Sequence, residues 1–271
     1  MICDIETGQV PWSVPEIRAI ALQSGSNGNC IYVESANVRL LFDAGITGIS
    51  AAERLSRYGH DIRCVDAVII SHDHADHIRY AGVYSRKFGL PVFMTRDTLR
   101  VASWKMPLGS FPELHHFVAG DTLRFGNLAV ETVPTPHDGA DAVMFVIDQD
   151  GKRLAILTDL GHPFRALRSL MGSLDAVFIE SNYDPYMLDH GPYPLRLKQR
   201  IRGPGGHISN VESAQLLACT DTTRLRWACL AHLSENNNNP TVALATHKER
   251  LGDTIMLHVA GRHSPTQVLD L

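Results

Sequence analysis

The chain has 271 residues, 44% hydrophobic and 20% charged, with a formal net charge of -4. That balance excludes a disordered or fibrous chain, and it supplies no global basic field that would draw the protein onto nucleic acid or an anionic membrane. The histidines number 14, and the five cysteines (Cys3, Cys30, Cys64, Cys219, Cys229) are scattered without a CxxC pair, so neither a disulfide framework nor a cysteine-based zinc knuckle is expected. Reduced thiols, an acidic and proline-bearing start and no apolar run of membrane length together predict a cytoplasmic protein with no membrane partner.

Residues 17–23, 30–34 and 38–43 read as strands, with SGSNGN (24–29) as the turn between the first two. Thr47 opens a helix through AAERLSRYG. AVIIS (67–71) is a short apolar strand, and 76–87 reads as helical. Further strands are expected at 91–94, 128–133, 143–147, 154–157, 176–179 and 225–231, and helices at 163–171, 209–218 and 240–251. Ser209 and Glu212 have capping-box spacing, and Asn239–Pro240 sets a cap residue before a proline, which makes the Asn run a loop that ends in a helix cap. Residues 184–206, rich in Pro, Gly, Tyr and Arg, read as an insertion. No linker composition divides the chain, so 1–271 is read as one α/β domain with mixed sheets.

The chemistry concentrates in AVIISHDHADHI. His72 and His74 alternate on an extended chain and can face one metal, while Asp76 and His77 at the following turn can face a second. Three imidazoles and a carboxylate held against an apolar strand are costly to bury unless something bonds to them. Asp73 adjoins these residues, as Asp138 adjoins His137, and both are expected to point away from the metals.

H-x-H-x-D-H after a strand resembles the signature of the metallo-β-lactamase superfamily, whose fold is an αββα four-layer sandwich of two mixed β-sheets. The resemblance implies further ligands downstream, and TVPTPHDG, LAILTDLG and WACLAHLS supply His137, Asp159 and His232 in the expected order. It assigns His72, His74 and His137 to one divalent ion, Asp76, His77 and His232 to the other, and Asp159 as the bridge. Such a set suits Zn(II) or Mn(II), with Fe(II) also compatible. Asp43 in LLFDAG resembles the early Asp that supports the metal loop. The strings SGSNGNCIYVE, FDAG, ESNYD, GPYPLRLKQRI and GHISN resemble the YycJ/WalJ-type branch, which is associated with 5′-to-3′ exonuclease activity on DNA.

The expected activity is therefore dinuclear hydrolysis of a phosphodiester in nucleic acid, with hydroxide held between the ions as nucleophile. Asp76 and His207 are the catalytic candidates. His207, in GPGGHISN, is similar to the additional His of phosphodiesterases such as tRNase Z and PhnP, where it meets phosphate or acts as general acid. Arg196, Lys198, Arg200 and Arg202 are candidates for flanking phosphates, and Tyr183, Tyr186 and Tyr193 for base stacking, while Asn182 and His190 have no assignable role. The SGSNGN loop could present backbone N–H groups to a phosphate, with an ordinary turn as the plainer reading. The alternative activity is hydrolysis of a small carboxylated lactone, thioester or lactam. A redox iron centre is disfavoured, because flavodiiron members place a carboxylate where this chain has His74.

Overall fold

Most inner strands of this protein are apolar on both faces, and that single property sets the architecture. In the computed structural model, which describes residues 17–218 and 223–271, β1 (Arg18–Gln23) turns Ala19 and Ala21 to one side and Ile20 and Leu22 to the other. Each side needs its own cover, so strands of this kind become the middle layers of a stack with helices outside. The amino-terminal segment, Cys3 and Cys219 lie outside the described residues.

The first sheet continues with β2 (Cys30–Glu34), β3 (Arg39–Phe42), β4 (Ala67–Ile69), β5 (Val92–Met94) and β6 (Leu114–His116). The second contains β7 (Thr122–Phe125), β8 (Leu128–Pro134), β9 (Val143–Gln149), β10 (Lys152–Leu157), β11 (Ala176–Glu180), β12 (Trp227–Ala231) and β13 (Met256–Val259). With β14 (Leu269–Asp270) on the edge of the first sheet, the spatial orders are β14-β1-β2-β3-β4-β5-β6 and β13-β12-β11-β10-β9-β8-β7. Both sheets are mixed: β3 to β6 and β10 to β13 run parallel, and the remaining neighbours antiparallel.

One apolar core lies between the sheets, where Phe42 meets Phe145 at 4.9 Å between ring centroids. A second lies under α1 (Gly48–Ser56), α3 (Ala81–Phe88) and α4 (Arg96–Lys105), beyond the short α2 (Ala75–Ile78). A third lies under α5 (Arg165–Met171), α8 (Asn210–Ala218) and α9 (Pro240–Leu251). The result is the expected αββα sandwich. Among the described residues no helix is long and apolar enough to cross a membrane.

Two expectations need correction. The helix read at 76–87 is broken after Ile78, because Tyr80 N donates to Ala44 O and Ala44 N donates to His77 O, so the end of β3 takes the hydrogen bonds that would have continued the helix. The 184–206 insertion is regular. Asp184 caps α6 (Pro185–His190), α7 (Leu195–Arg202) follows, and the two enclose a small core of Tyr183, Leu188 and Ile201. The edge strands β6, β7, β13 and β14 and the Thr95-capped α4 were not anticipated. The four strands are short, and most of their residues are incompletely buried, so they lack the double-sided apolar signal.

Candidate metal centre

Three strands end in the same unusual way. Asp43 after β3, Asp159 after β10 and His232 after β12 have φ of 66°, 57° and 57°, a left-handed conformation that non-glycine residues rarely adopt. It breaks each strand at its carboxyl end and turns the side chain into the space between the two sheets' ends. Asp and His tolerate it better than branched residues, and the surrounding hydrogen bonds hold it in place. The loop after β4 brings His72 and His74 to the same end, and α2 brings Asp76 and His77.

The imidazoles are oriented by what their other nitrogen does. His77 Nδ1 donates to Asp43 Oδ2 at 2.7 Å, and Asp43 also accepts from Ser71 N and Oγ. His137 Nδ1 donates to Gly206 O at 2.9 Å. His232 Nδ1 faces Glu180 Oε1 at 2.9 Å, and His72 Nδ1 lies 2.9 Å from Ser71 Oγ. The remaining nitrogens converge. His137 Nε2 stands 3.2 Å from His74 Nδ1, His77 Nε2 stands 3.1 Å from Asp159 Oδ2, and His232 Nε2 stands 3.5 Å from Asp76 Oδ2. His72, His74 and His137 form one group whose potential ligand atoms all lie within 4.8 Å of one another, Asp76, His77 and His232 a second, and Asp159 joins His72 and His77 in a third.

A cation fits this arrangement. His72 Nε2 is buried without a hydrogen-bond partner, although orphaned buried polar atoms are rare, and buried Asp159 Oδ2 has His77 Nε2 at 3.1 Å but no well-aligned hydrogen bond. Burial holds His72 well below the ordinary histidine range, and burial with the help of His137 lowers His74 to about 4, so these rings present neutral lone pairs. On the other side burial opposes charge on His232, but Asp159, Asp76 and Glu180 outweigh it and raise its pKa to about 10. Asp159 and Asp43 likewise raise His77 against its burial. The carboxylates thus demand positive charge at the centre, which protons or metal ions can supply.

A sequence profile described as the β-lactamase superfamily domain matches residues 38–233, the span that contains every one of these side chains. The chain belongs to the metallo-β-lactamase superfamily. It is similar to the exodeoxyribonuclease YycJ of Bacillus anthracis, 30% identical over 91% of this chain and 96% of the relative. It is 33% identical to the exodeoxyribonuclease WalJ of Streptococcus pneumoniae, over 85% of this chain and 86% of the relative. The metallo-β-lactamase fold protein YhfI from Bacillus subtilis superposes with a TM-score of 0.71, covering 95% of this chain and all of that one at 14% identity.

Within this superfamily fold, Glu180 is the residue that the sequence reading missed. It ends β11 and is fully buried. Its Oε1 accepts from His207 Nδ1 at 2.8 Å and from His232 Nδ1, and its Oε2 accepts from Leu160 N at 2.9 Å and Ile208 N at 3.3 Å. Burial works against its ionisation, yet His207 and His232 keep its pKa low. With both oxygens engaged, Glu180 orients its two histidines, and with Asp159, His207 and His232 it forms a fourth group of potential ligand atoms within 4.8 Å of one another. The signal was available, since AVFIE ends an apolar strand on a carboxylate, as LLFD does.

Other placements differ from expectation. Asp138 does not point away: its Oδ1 lies 3.4 Å from His74 Nε2, and Arg200 Nε pairs with its Oδ2 at 2.7 Å. Asp73 does turn aside, to Lys105 and Ala140 N. Asn182, left without a role, donates to His232 O at 2.8 Å. The 24–29 turn supports the centre from the far side, with Asn29 Nδ2 3.0 Å from His77 Nε2 and Ser24 Oγ accepting from His232 N. The basic run is divided by α7. Arg200 lines a cavity of about 320 Å3 with His74, Asp159, His207 and His232, whereas Lys198 and Arg202 bond Asp189 on another face. Of the tyrosines, Tyr193 lines that cavity, Tyr183 is buried and Tyr186 stacks on His190 outside.

Proposed function

We propose that the protein is a two-metal phosphodiesterase that shortens DNA from the 5′ end. The metal ions are Zn(II) or Mn(II). His72, His74 and His137 would hold one, Asp76, His77 and His232 would hold the other, and Asp159 would serve both. When bound, the two ions polarise the phosphoryl group and lower the pKa of the attacking water.

The observation that carries this reading is the Glu180–His207 pair. His207 Nδ1 is committed to Glu180, so the other ring nitrogen is the one free to meet substrate in the cavity that His207 shares with Asp159 and His232. Protonated, His207 can give its Nε2 proton to a departing alkoxide, and the buried Glu180 carboxylate stabilises the imidazolium while it waits. A phosphodiester needs that proton more than a lactam does. The similarity to exodeoxyribonucleases over most of the chain supports DNA as the substrate, and Arg200 at the cavity wall is placed to exchange Asp138 for a phosphate of the strand.

The test is His207→Ala, which removes no proposed ligand. Hydrolysis of DNA should fall by roughly 10²- to 10⁴-fold, the range for a general acid. Bis-p-nitrophenyl phosphate, whose leaving group needs no proton, should lose much less, with metal content intact by elemental analysis. Equal loss on both substrates would reduce His207 to phosphate positioning. Loss of metal would make it a ligand or the prop of one.

A further inference from the structure

Asp76 belongs to two cavities. Besides the one at the candidate metal centre, a second of about 310 Å3 is walled by Ser26, Asn27, Thr47, Ser50, Arg79 and Tyr80. The two share Ser26, Ala75 and Asp76, so they adjoin along the 24–29 turn. Nothing in the proposed reaction uses the second cavity.

Its chemistry is that of an anion site. Asp76, already assigned to a metal, is its only carboxylate among the described lining residues. Arg79 makes no ion pair and no side-chain hydrogen bond with the described residues, unlike Arg200 and Arg202 on the other side of the centre. A second guanidinium stands behind the same wall. Arg54 donates to Leu22 O, to the side-chain oxygen of Gln23, which itself lines the cavity, and to His263 O. All three acceptors are neutral, and no described carboxylate comes within ion-pair distance of Arg54. Its charge is left to act on the cavity. The guanidinium fork matches phosphate oxygens, and hydroxyls such as Ser26 and Ser50 can complete the contact. The phenol ring of Tyr80 offers a flat surface beside them.

We propose that this cavity is the subsite for the 5′-terminal phosphate of the strand, with Arg79 as its principal contact. The inference rests on the DNA reading above and adds what selects the end. A terminal phosphate seated there places the adjoining phosphodiester toward the metal centre, which makes the enzyme act from an end and favours 5′-phosphorylated strands over 5′-hydroxyl ones.

The experiment uses the metal-loaded enzyme and its Arg79→Ala and Arg79→Lys variants. Single strands with a 5′-phosphate, a 3′-phosphate or hydroxyls at both ends are compared by kcat/KM, and their phosphorothioate-linked forms by fluorescence anisotropy. The expected result is a 5′-phosphate preference of roughly 10- to 100-fold, the scale of a hydrogen bond to a charged group. It should fall to about one in Arg79→Ala and recover partly in Arg79→Lys. Equal handling of all ends, a 3′-phosphate preference, or a 5′-phosphate preference that survives Arg79→Ala each overturns the subsite while leaving DNA as the substrate. If no strand is bound or cut while bis-p-nitrophenyl phosphate is hydrolysed, the DNA reading falls and the subsite with it.

Discussion

Glu180 shows how much can depend on one side chain that touches no proposed metal. Its two oxygens accept from two imidazoles and two backbone amides, all inside the protein. In Glu180→Gln the new amide N–H must face one of those donors. We expect roughly 10- to 100-fold loss of metal affinity or activity, as for other groups that orient ligands. Breaking a buried charged network should also cost about 3 kcal/mol, read by denaturant unfolding. Asp159→Ala acts differently: it should leave fewer than two ions per chain, and two tightly held ions in that variant would remove Asp159 from the bridge. The cysteines separate by burial. Cys30 is buried and its thiol is pushed up to about 12, and Cys229 is raised further by the same cause, whereas Cys64 is exposed. Iodoacetamide at pH 8 followed by peptide mapping should modify Cys64 and spare Cys30 and Cys229 in the folded protein.

At the scale of elements, α7 decides what the basic run can do. Four cations within seven residues look like one patch in the sequence, but a helix advances about 100° per residue and alternate positions diverge. Arg196 and Arg200 share one face and Lys198 and Arg202 another, where Asp189 already binds them. Arg200→Ala should therefore weaken DNA hydrolysis and flatten its salt dependence, while Lys198→Ala with Arg202→Ala should change both little. Equal effects would mean that the whole helix follows the strand. The turn after β3 is a second decisive element. A Cβ on Gly45 would lie 1.7 Å from Asp76 O, so Gly45→Ala must displace Asp76, itself a proposed ligand, and disturb the bond its carbonyl accepts from Asn29 N at 2.7 Å. Lower metal content by elemental analysis is the expected readout.

For the whole molecule, charge at the centre links stability to pH. In the metal-stripped protein His232 has its pKa raised from 6.5 to about 10. A raised folded-state pKa contributes stability that is complete below about 6.5 and is lost as pH rises through about 10. Asp159, Asp76 and Glu180, all depressed despite burial, contribute stability that is lost instead as pH falls below the ordinary carboxylate range. Thermal unfolding after chelation should therefore lose midpoint temperature toward both ends. Added Zn(II) should restore more at pH 9 than at pH 6, because metal must displace the protons held on His232 and His77. A metal response independent of pH would show that these rings are not ligands.

Most inner strands and the HDHADH cluster were legible because each rests on a local signal: apolar runs, turn residues, and imidazoles at a strand end. The Ser209–Glu212 capping box was equally legible, and Glu212 Oε2 accepts from Ser209 N as its spacing predicts. The order of strands within each sheet carries no such signal and was not legible. Residue types and their periods thus determined the α/β class and the HDHADH cluster, while the layered sandwich and the downstream candidates His137, Asp159 and His232 followed from the family resemblance that the motifs carry. The sequence did not determine that Glu180 bridges His207 to His232, that Asp138 faces His74, or that Arg79 and Arg54 form no ion pair with a carboxylate among the described residues. Those facts depend on which strand ends and loops meet across two sheets, over separations such as the 52 residues between Glu180 and His232. Hydrogen bonding and burial of charge are settled by neighbours in space, so only the tertiary structure decided them.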